Sequence, residues 1–517
     1  MPRPLLLALA LPALLLADGQ RWWSHVRFLA DDKLEGRNTG SDGYRQAAVY
    51  VAGEFEKAGL EPAGTSGYFQ PLQFRSRRIV EEQSSLRLNG QPLDLGEDAN
   101  ISSRTEPPDT LEAGIVFAGY ALTAPELSYD DLAGLDLKGK AVLYLSGGPA
   151  SIPGPVRAHY QNAGERWKFL QKAGVIATLQ IQNPKAMDIP WARATLARFQ
   201  PSMSLSDPSF ADAPGKRLSV TVNPARAEKF FTGSGHTFAE ILELAGAGKP
   251  LPRFPIPARI EARVRFEAAP ADCRNVAGIL RGTDPRLRDE YIVLSAHLDH
   301  VGVGRPINGD RIYNGAMDNA AGTASLLEIA ARLQESKKRF RRSLLFVAVT
   351  GEEKGLLGSR FFAAHPTVKP GSLVANLNMD MFLPLFPLRI LTAFGAEESD
   401  LGERLQEVAK PLGIRLQPDL EPDRNRFIRS DQYNFIRQGI PALAFKVGYD
   451  KGTKEEAVAR AWIKERYHAP SDDLNQPVDL EAAAGFNNLI LALAEAVAND
   501  PQRPRWKPES FFRRFAK

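Results

Sequence analysis

The sequence has almost no cysteine: Cys273 is the single one among 517 residues. An intrachain disulfide is therefore excluded, and so is lipid attachment at a cysteine beside the N-terminal apolar run. With no histidine close to it in sequence, this thiol reads as structural rather than nucleophilic. Net charge is also scarce. Sixty-five Lys and Arg against 61 Asp and Glu leave +4, which argues against a dedicated nucleic-acid binder. The densest basic patch, KKRFRR at 337–342, reads as a solvated loop before a strand. Long apolar runs are missing too. Residues 5–16 are apolar apart from Pro12, but a bilayer span needs about 20 residues, and no other segment has that length. Internal repeats and low-complexity blocks are absent.

What is present begins at the N-terminus. Arg3 followed by the short apolar run matches a secretory signal, with a cut near Ala17. Residues 1–17 are read as that signal, and the mature protein as periplasmic or extracellular with no stable membrane span. A length of 517 residues predicts two or three domains. The spacing of Ala47, Val51 and Phe55 predicts a helix over 43–57. After it come short strand-like runs broken by Pro and Gly, such as SLRLNG, GIVFAGYAL, KAVLYLS and RLSVTV, which predict a β-rich module. LPRFPIP at 251–257 suits its exit.

From residue 275 the texture changes. NVAGIL, YIVLSA, LLFVAV, LVANLNM, RILTAF and PALAFK read as strands; 319–335, 356–364, 401–412 and 480–499 read as helices. Near-continuous apolar strands alternating with helices indicate an α/β domain with a mixed, mostly parallel sheet flanked by helices. The expected division is a discontinuous catalytic domain, 18–80 and 265–517, with an insertion at 81–264.

Polar residues fall where these strands stop. YIVLSA leads to His297, Asp299 and His300, LLFVAV to Glu352 and Glu353, and LVANLNM to Asp380. Asp318 opens a helix and His468 lies in the loop sequence RYHAPSDD. Ligands of open α/β sheets bind beyond the carboxyl ends of the strands, so these side chains converge on one crevice. Imidazoles and carboxylates together suit zinc, and one bridging carboxylate lets five ligands hold two ions. If its strand continues, Asp299 shares a face with His297 and orients that imidazole. Each residue also has a plain structural role open to it. Asp318 suits a helix N-cap, Glu352-Glu353 a first helical turn, Asp380 a turn, and His468 an ordinary loop. Their recurrence at successive strand ends, where carboxylates need a compensating charge, favours a metal site.

SAHLDHVG, NGAMDNAAGTASLLEIA, VAVTGEEKGLLGSRFF, LNMDM and YHAPSDD, in that order, resemble the motifs of the secreted di-zinc aminopeptidases. These belong to the superfamily of aminopeptidase Y, glutamate carboxypeptidase and the transferrin receptor. The stretch LADDKLEGRNTGSDGYRQAAVYVAGEFEKAGLEPAG is similar to the same group, and residues 114–145 resemble a protease-associated domain. The resemblance implies two Zn²⁺ per chain. Asp318 would bridge them, His297 and Asp380 would complete one site, and Glu353 and His468 the other. Glu352 would be the general base, and the Asp318–Asn319 peptide would be cis. The sequence RSDQYNFIRQGIPAL departs from the family pattern, so that Gln432 or Tyr433 is the candidate oxyanion donor. His300 is read as a pocket-wall residue or a support behind the ligands; His25, His159, His236 and His365 are read as surface residues.

The function implied is removal of N-terminal residues from peptides or proteins. A glutaminyl cyclase on the same scaffold would need one zinc, and the full ligand set argues against it. A carboxypeptidase would need basic residues for a terminal carboxylate, and no motif demands them. A non-catalytic receptor-like protein would be expected to lack ligands or the base.

Overall fold

A computed structural model describes residues 18–424 and 426–516. The expected secretory signal, residues 1–17, lies outside the described residues. Two large sheets organise the chain. The ten-stranded sheet holds the strands expected from residue 275 onward; the eight-stranded sheet is built from strands between Ser85 and Arg263.

The larger sheet is mixed. Its centre is four adjacent parallel strands, Ser343–Val349, Tyr291–His297, Leu373–Asn378 and Ala442–Val447. All four carry their C-terminal ends to one edge. Antiparallel strands flank them: Phe266–Leu280 beside Ser343–Val349, and Ile390–Phe394 beside Ala442–Val447. The central strands are buried along almost their whole length, as expected where helices cover both faces.

The helices form where their apolar spacing allows. Ser41 caps Asp42–Lys57, its hydroxyl accepting the Tyr44 N–H at 3.1 Å. Ala47, Val51 and Phe55 are fully buried on its inner face. Ala321–Ser336 packs under the sheet with Leu326, Ile329, Ala330 and Leu333 inward. The helix Gly19–Leu29, not anticipated from sequence, lies against it, and Trp22 Nε1 donates to the Ala321 carbonyl at 3.0 Å. Among the described residues Leu480–Asn499 is long and apolar enough to cross a membrane. Here it is a core helix, with Phe486, Leu489, Ile490 and Leu493 completely buried.

The smaller sheet has an antiparallel side, Gln91–Leu93, Ser85–Leu88, Arg253–Arg263 and Leu111–Ala118. It continues through Ala141–Leu145, Ala177–Ile181 and Leu218–Val222 in parallel. Those parallel steps need crossover segments, and the helices Gly154–Gln161 and Ala163–Lys172 supply one of them. The segment expected to be β-rich therefore also has substantial helix. One of its strands, Ser202–Leu205, leaves it to pair with Phe69–Ile79 at the rim of the larger sheet. The basic patch is solvated only in part, because Arg342 is buried on Glu290 at 2.7 Å.

His25 and His159, expected on the surface, are buried, 6% and 5% exposed. Each sits on the inner side of a helix and bonds through Nδ1 to a tyrosine hydroxyl at 2.7 Å, His25 to Tyr50 and His159 to Tyr433. Cys273 is buried against the Thr350 hydroxyl, and burial pushes its thiol up to about 11, as befits a structural thiol.

Candidate metal centre

Because the four central strands are parallel neighbours, the residues after them meet. His297 ends one strand, Glu352 and Glu353 follow the next, and Asp380 follows the third. Asp318 comes from the turn before Ala321–Ser336, and His468 from the loop after the helix Lys454–Glu465. The fold thus gathers all five expected ligands and Glu352 in one place.

The Asp318 carboxylate faces two corners. Its Oδ1 is 3.3 Å from His297 Nε2, which is also 3.2 Å from Asp380 Oδ1. Its Oδ2 is 3.3 Å from His468 Nε2, which is 3.1 Å from Glu353 Oε2. Zinc bonds of about 2.0–2.1 Å in a tetrahedron place neighbouring donors roughly 3.3 Å apart, so both corners have the spacing of ligands around such an ion. The chemistry agrees. His297 Nδ1 is 3.0 Å from the Asp299 carbonyl, a bond that takes its proton there and leaves the Nε2 lone pair facing carboxylate oxygens. Asp318 Oδ2 and Glu353 Oε1 are buried without a hydrogen-bond partner among the described residues. Carboxylates buried together in this way need a compensating cation.

His300 also reaches the second corner. It is completely buried, with Nδ1 2.7 Å from Glu353 Oε1 and 3.8 Å from Asp318 Oδ2. His300 and His468 therefore compete for the place beside Asp318 and Glu353. The His468 separations match a tetrahedral edge, whereas the His300 contact to Glu353 is too short for one. His300 fits a support behind Glu353 better than a ligand.

The shell around these residues is fixed by hydrogen bonds. Asp472 accepts the Met317 and Asp318 backbone N–H groups at 2.9 and 3.0 Å. The Asp318–Asn319 peptide is cis. Asn319 Nδ2 donates to the Met379 carbonyl at 2.9 Å, and its Oδ1 accepts the Gly322 N–H at 2.9 Å. Gly322 is required there: a Cβ would stand 2.0 Å from the Met379 carbonyl oxygen. Arg37 is fully buried and donates to the carbonyls of Leu29, Leu298, Asn314 and Gly315. It ties the loops before Asp299 and Asp318 together.

Asp299 has a different task from the one expected. The strand stops at His297, so the alternation that would aim the Asp299 carboxylate at the imidazole is lost. Its carboxylate instead accepts Thr39 Oγ1 at 2.9 Å and the backbone N–H groups of Glu352 and Glu353 at 3.1 and 3.3 Å. The imidazole is held by the Asp299 backbone carbonyl.

Of the two oxyanion candidates, Gln432 lines the crevice beside Glu352 and Asp380. Its Oε1 accepts Asn378 Nδ2 at 2.9 Å and its Nε2 donates to the Phe427 carbonyl at 2.7 Å. Tyr433 is not at the site. Residues Gln432–Ile436 are helical, so the next side chain turns by about 100° and the Tyr433 hydroxyl bonds to His159 instead. Sequence reasoning missed Tyr467. It borders both cavities at the centre, its ring 4.0 Å from that of His468. Only its place in the quoted YHAPSDD neighbourhood could have signalled it.

The electrostatics separate the two adjacent glutamates. Burial pushes the Glu352 carboxyl well up, and Glu353 and Asp380 add to this against His297. Burial also opposes ionisation of Glu353, but His468 and His300 hold it well below the usual carboxylate range. The surroundings thus push the two adjacent carboxyls in opposite directions. A groove of about 690 Å³ leads to Glu353, Tyr467 and His468, walled on one side by Ser102, Gln180 and Gln182 of the smaller sheet.

Comparison with known proteins follows this geometry. Residues 275–494 match Peptidase family M28. Aminopeptidase Y of Saccharomyces cerevisiae is 30% identical over 207 residues, 39% of this chain and 35% of the relative. Leupeptin-inactivating enzyme 1 of Streptomyces exfoliatus is 25% identical over 247 residues, 46% of this chain and 52% of the relative. The chain thus spans a third to a half of the length of these curated relatives. An aminopeptidase from an Aneurinibacillus species shares the fold, with a TM-score of 0.57 at 19% identity over 96% of this chain and 97% of that one. A zinc aminopeptidase from Bacillus subtilis superposes with a TM-score of 0.52 at 18% identity, covering 94% and 96%. The segment that matches Peptidase family M28, residues 275–494, carries every candidate ligand.

Proposed function

We propose that this chain is an exported di-zinc aminopeptidase that hydrolyses the N-terminal residue from peptides or proteins. The observation that carries the reading is the Asp318 carboxylate, turned at once toward a His297–Asp380 corner and a Glu353–His468 corner. In this reading His297 and Asp380 hold one zinc, Glu353 and His468 the other, and Asp318 both. Zinc bound there supplies Lewis acidity toward the scissile carbonyl and the attacking water.

The remaining work falls to the protein's own groups. Glu352 takes the proton of the attacking water and delivers it to the departing amine. It borders the crevice beside Asp318 and Asp380, and Asp299 holds its backbone. Tyr467, between the two cavities, is positioned to donate to the developing oxyanion. The polar groove receives the rest of the peptide. The yeast relative and both solved structures are named aminopeptidases, which supports the N-terminal direction. The apolar run at residues 5–16 supports export.

Product analysis on matched free and N-blocked peptides tests the reading. Stepwise loss of N-terminal residues from the free peptides alone is expected, with two zinc ions per chain by elemental analysis. Release from the C-terminus, or ring closure of an N-terminal glutamine, would overturn it.

A further inference from the structure

Beside the metal centre a smaller cavity opens between the strand Ala442–Val447 and residues 426–432. Met381, Phe394 and Ile463 form apolar walls. Its charge is unbalanced. Apart from the metal-centre groups and Glu352, the cavity is faced by three cations, Arg426, Arg429 and Lys446, and by one anion, Asp188.

That anion is already committed. Asp188 pairs with Arg429 at 2.7 Å and with Arg424. Although burial pushes its carboxyl up, Arg429 and Arg426 hold it at about 2. Arg426 pairs with Glu421 at 2.8 Å and lies 3.8 Å from Asp188. The Lys446 ammonium has no such partner: among the described residues it makes no ion pair and no side-chain hydrogen bond. Its place follows from the sheet. Ala444 stands opposite Asn378 in the parallel register. Lys446 lies two residues further along this strand and lines the same cavity as Asp380, so the ammonium sits beside the metal centre.

We infer that this cavity receives the side chain of the residue to be released and selects a carboxylate there, so that peptides beginning with glutamate or aspartate are preferred. This rests on the aminopeptidase reading. A substrate carboxylate gives the Lys446 ammonium its missing partner and Arg426 a further one. An amide of the same shape turns an NH₂ toward those donors, and sites built for one hydrogen-bonding group reject the analogue that lacks it. A lysine side chain meets three cations.

The test is kcat/KM of the zinc-loaded full chain on free peptides that differ only in the first residue, Glu, Gln, Leu or Lys. Glu is expected to exceed Gln by at least about tenfold. Lys446→Met and, independently, Arg426→Gln should each bring that ratio toward one, with zinc content and circular dichroism reporting that the variants are folded. Cleavage of Leu or Lys peptides as readily as Glu peptides overturns this inference and leaves the aminopeptidase reading standing. So does a Glu-to-Gln ratio that neither substitution changes. Refusal of every free peptide overturns the aminopeptidase reading, and this inference with it.

Discussion

The Asp299 carboxylate is the anchor of Glu352: its Oδ1 accepts the Glu352 backbone N–H at 3.1 Å, while its Oδ2 takes the next N–H, that of Glu353, at 3.3 Å. Both oxygens are needed as acceptors. Asp299→Asn keeps the shape but sets an NH₂ against one of those N–H groups. Losses of about 10- to 100-fold are typical when a group behind a metal ligand is removed. A fall of that size in kcat/KM is expected, larger than the fall in bound zinc. Kinetics and elemental analysis on the same preparation measure both, and unchanged kinetics would refute the anchoring role.

Glu352 and Asp318 should fail in different ways. Glu352→Gln removes the base but none of the proposed ligands, so turnover should fall by about 10²- to 10⁴-fold with zinc retained. Asp318→Ala removes the one carboxylate shared by both corners, so zinc itself should be lost. Equal zinc content in the two variants, with both inactive, would break the separation of base from bridge.

The gathering of these side chains was readable in sequence because His297, Glu352, Glu353 and Asp380 follow apolar strands that prove to be parallel neighbours, whereas the separate roles of Glu352 and Asp318 came from the family resemblance. Their convergence comes from sheet topology, which strand-by-strand pattern already implies. The supporting residues were not readable. Arg37 works by reaching four backbone carbonyls, and Asp472 by accepting two backbone N–H groups, and no side-chain pattern encodes such partners. Asp299 was misassigned because the strand was taken to continue past His297. Tyr433 was placed at the site because a helical turn, which sends adjacent side chains apart, was not expected at Gln432. His25 and His159 were placed outside because an isolated histidine leaves no trace of burial in its neighbours. The helices at 154–172 were hidden by the Pro- and Gly-rich spacing of the strands around them.

The two buried histidines predict how stability depends on acid. Burial lowers both His25 and His159 from 6.5 to about 4. Above pH 6.5 they are neutral in the folded and unfolded chain alike and contribute nothing to the pH dependence. As pH falls from 6.5 toward 4, the unfolded chain takes up protons that the folded chain refuses, and stability drops. Each site accounts for roughly 3 kcal/mol at the acid end of that window. His25→Gln should therefore flatten the fall in Tm between pH 7 and 4.5 while costing some stability at pH 7 through the lost Tyr50 contact. An unchanged slope would show that His25 is protonated without penalty.

Zinc removal should destabilise the fold as well as stop the reaction. Asp318 Oδ2 and Glu353 Oε1 are buried with no hydrogen-bond partner among the described residues. A cation that binds the folded chain at these oxygens stabilises it by RT ln(1 + [L]/Kd), about 2.7 kcal/mol at a hundredfold excess over Kd. Chelation should lower Tm by several degrees, and added zinc should restore it in a concentration-dependent way. Asp318→Ala, lacking the shared carboxylate, should respond much less to either treatment. A wild-type Tm indifferent to chelator, in protein shown to have lost its zinc, would mean that these carboxylates are satisfied by protons in the folded state.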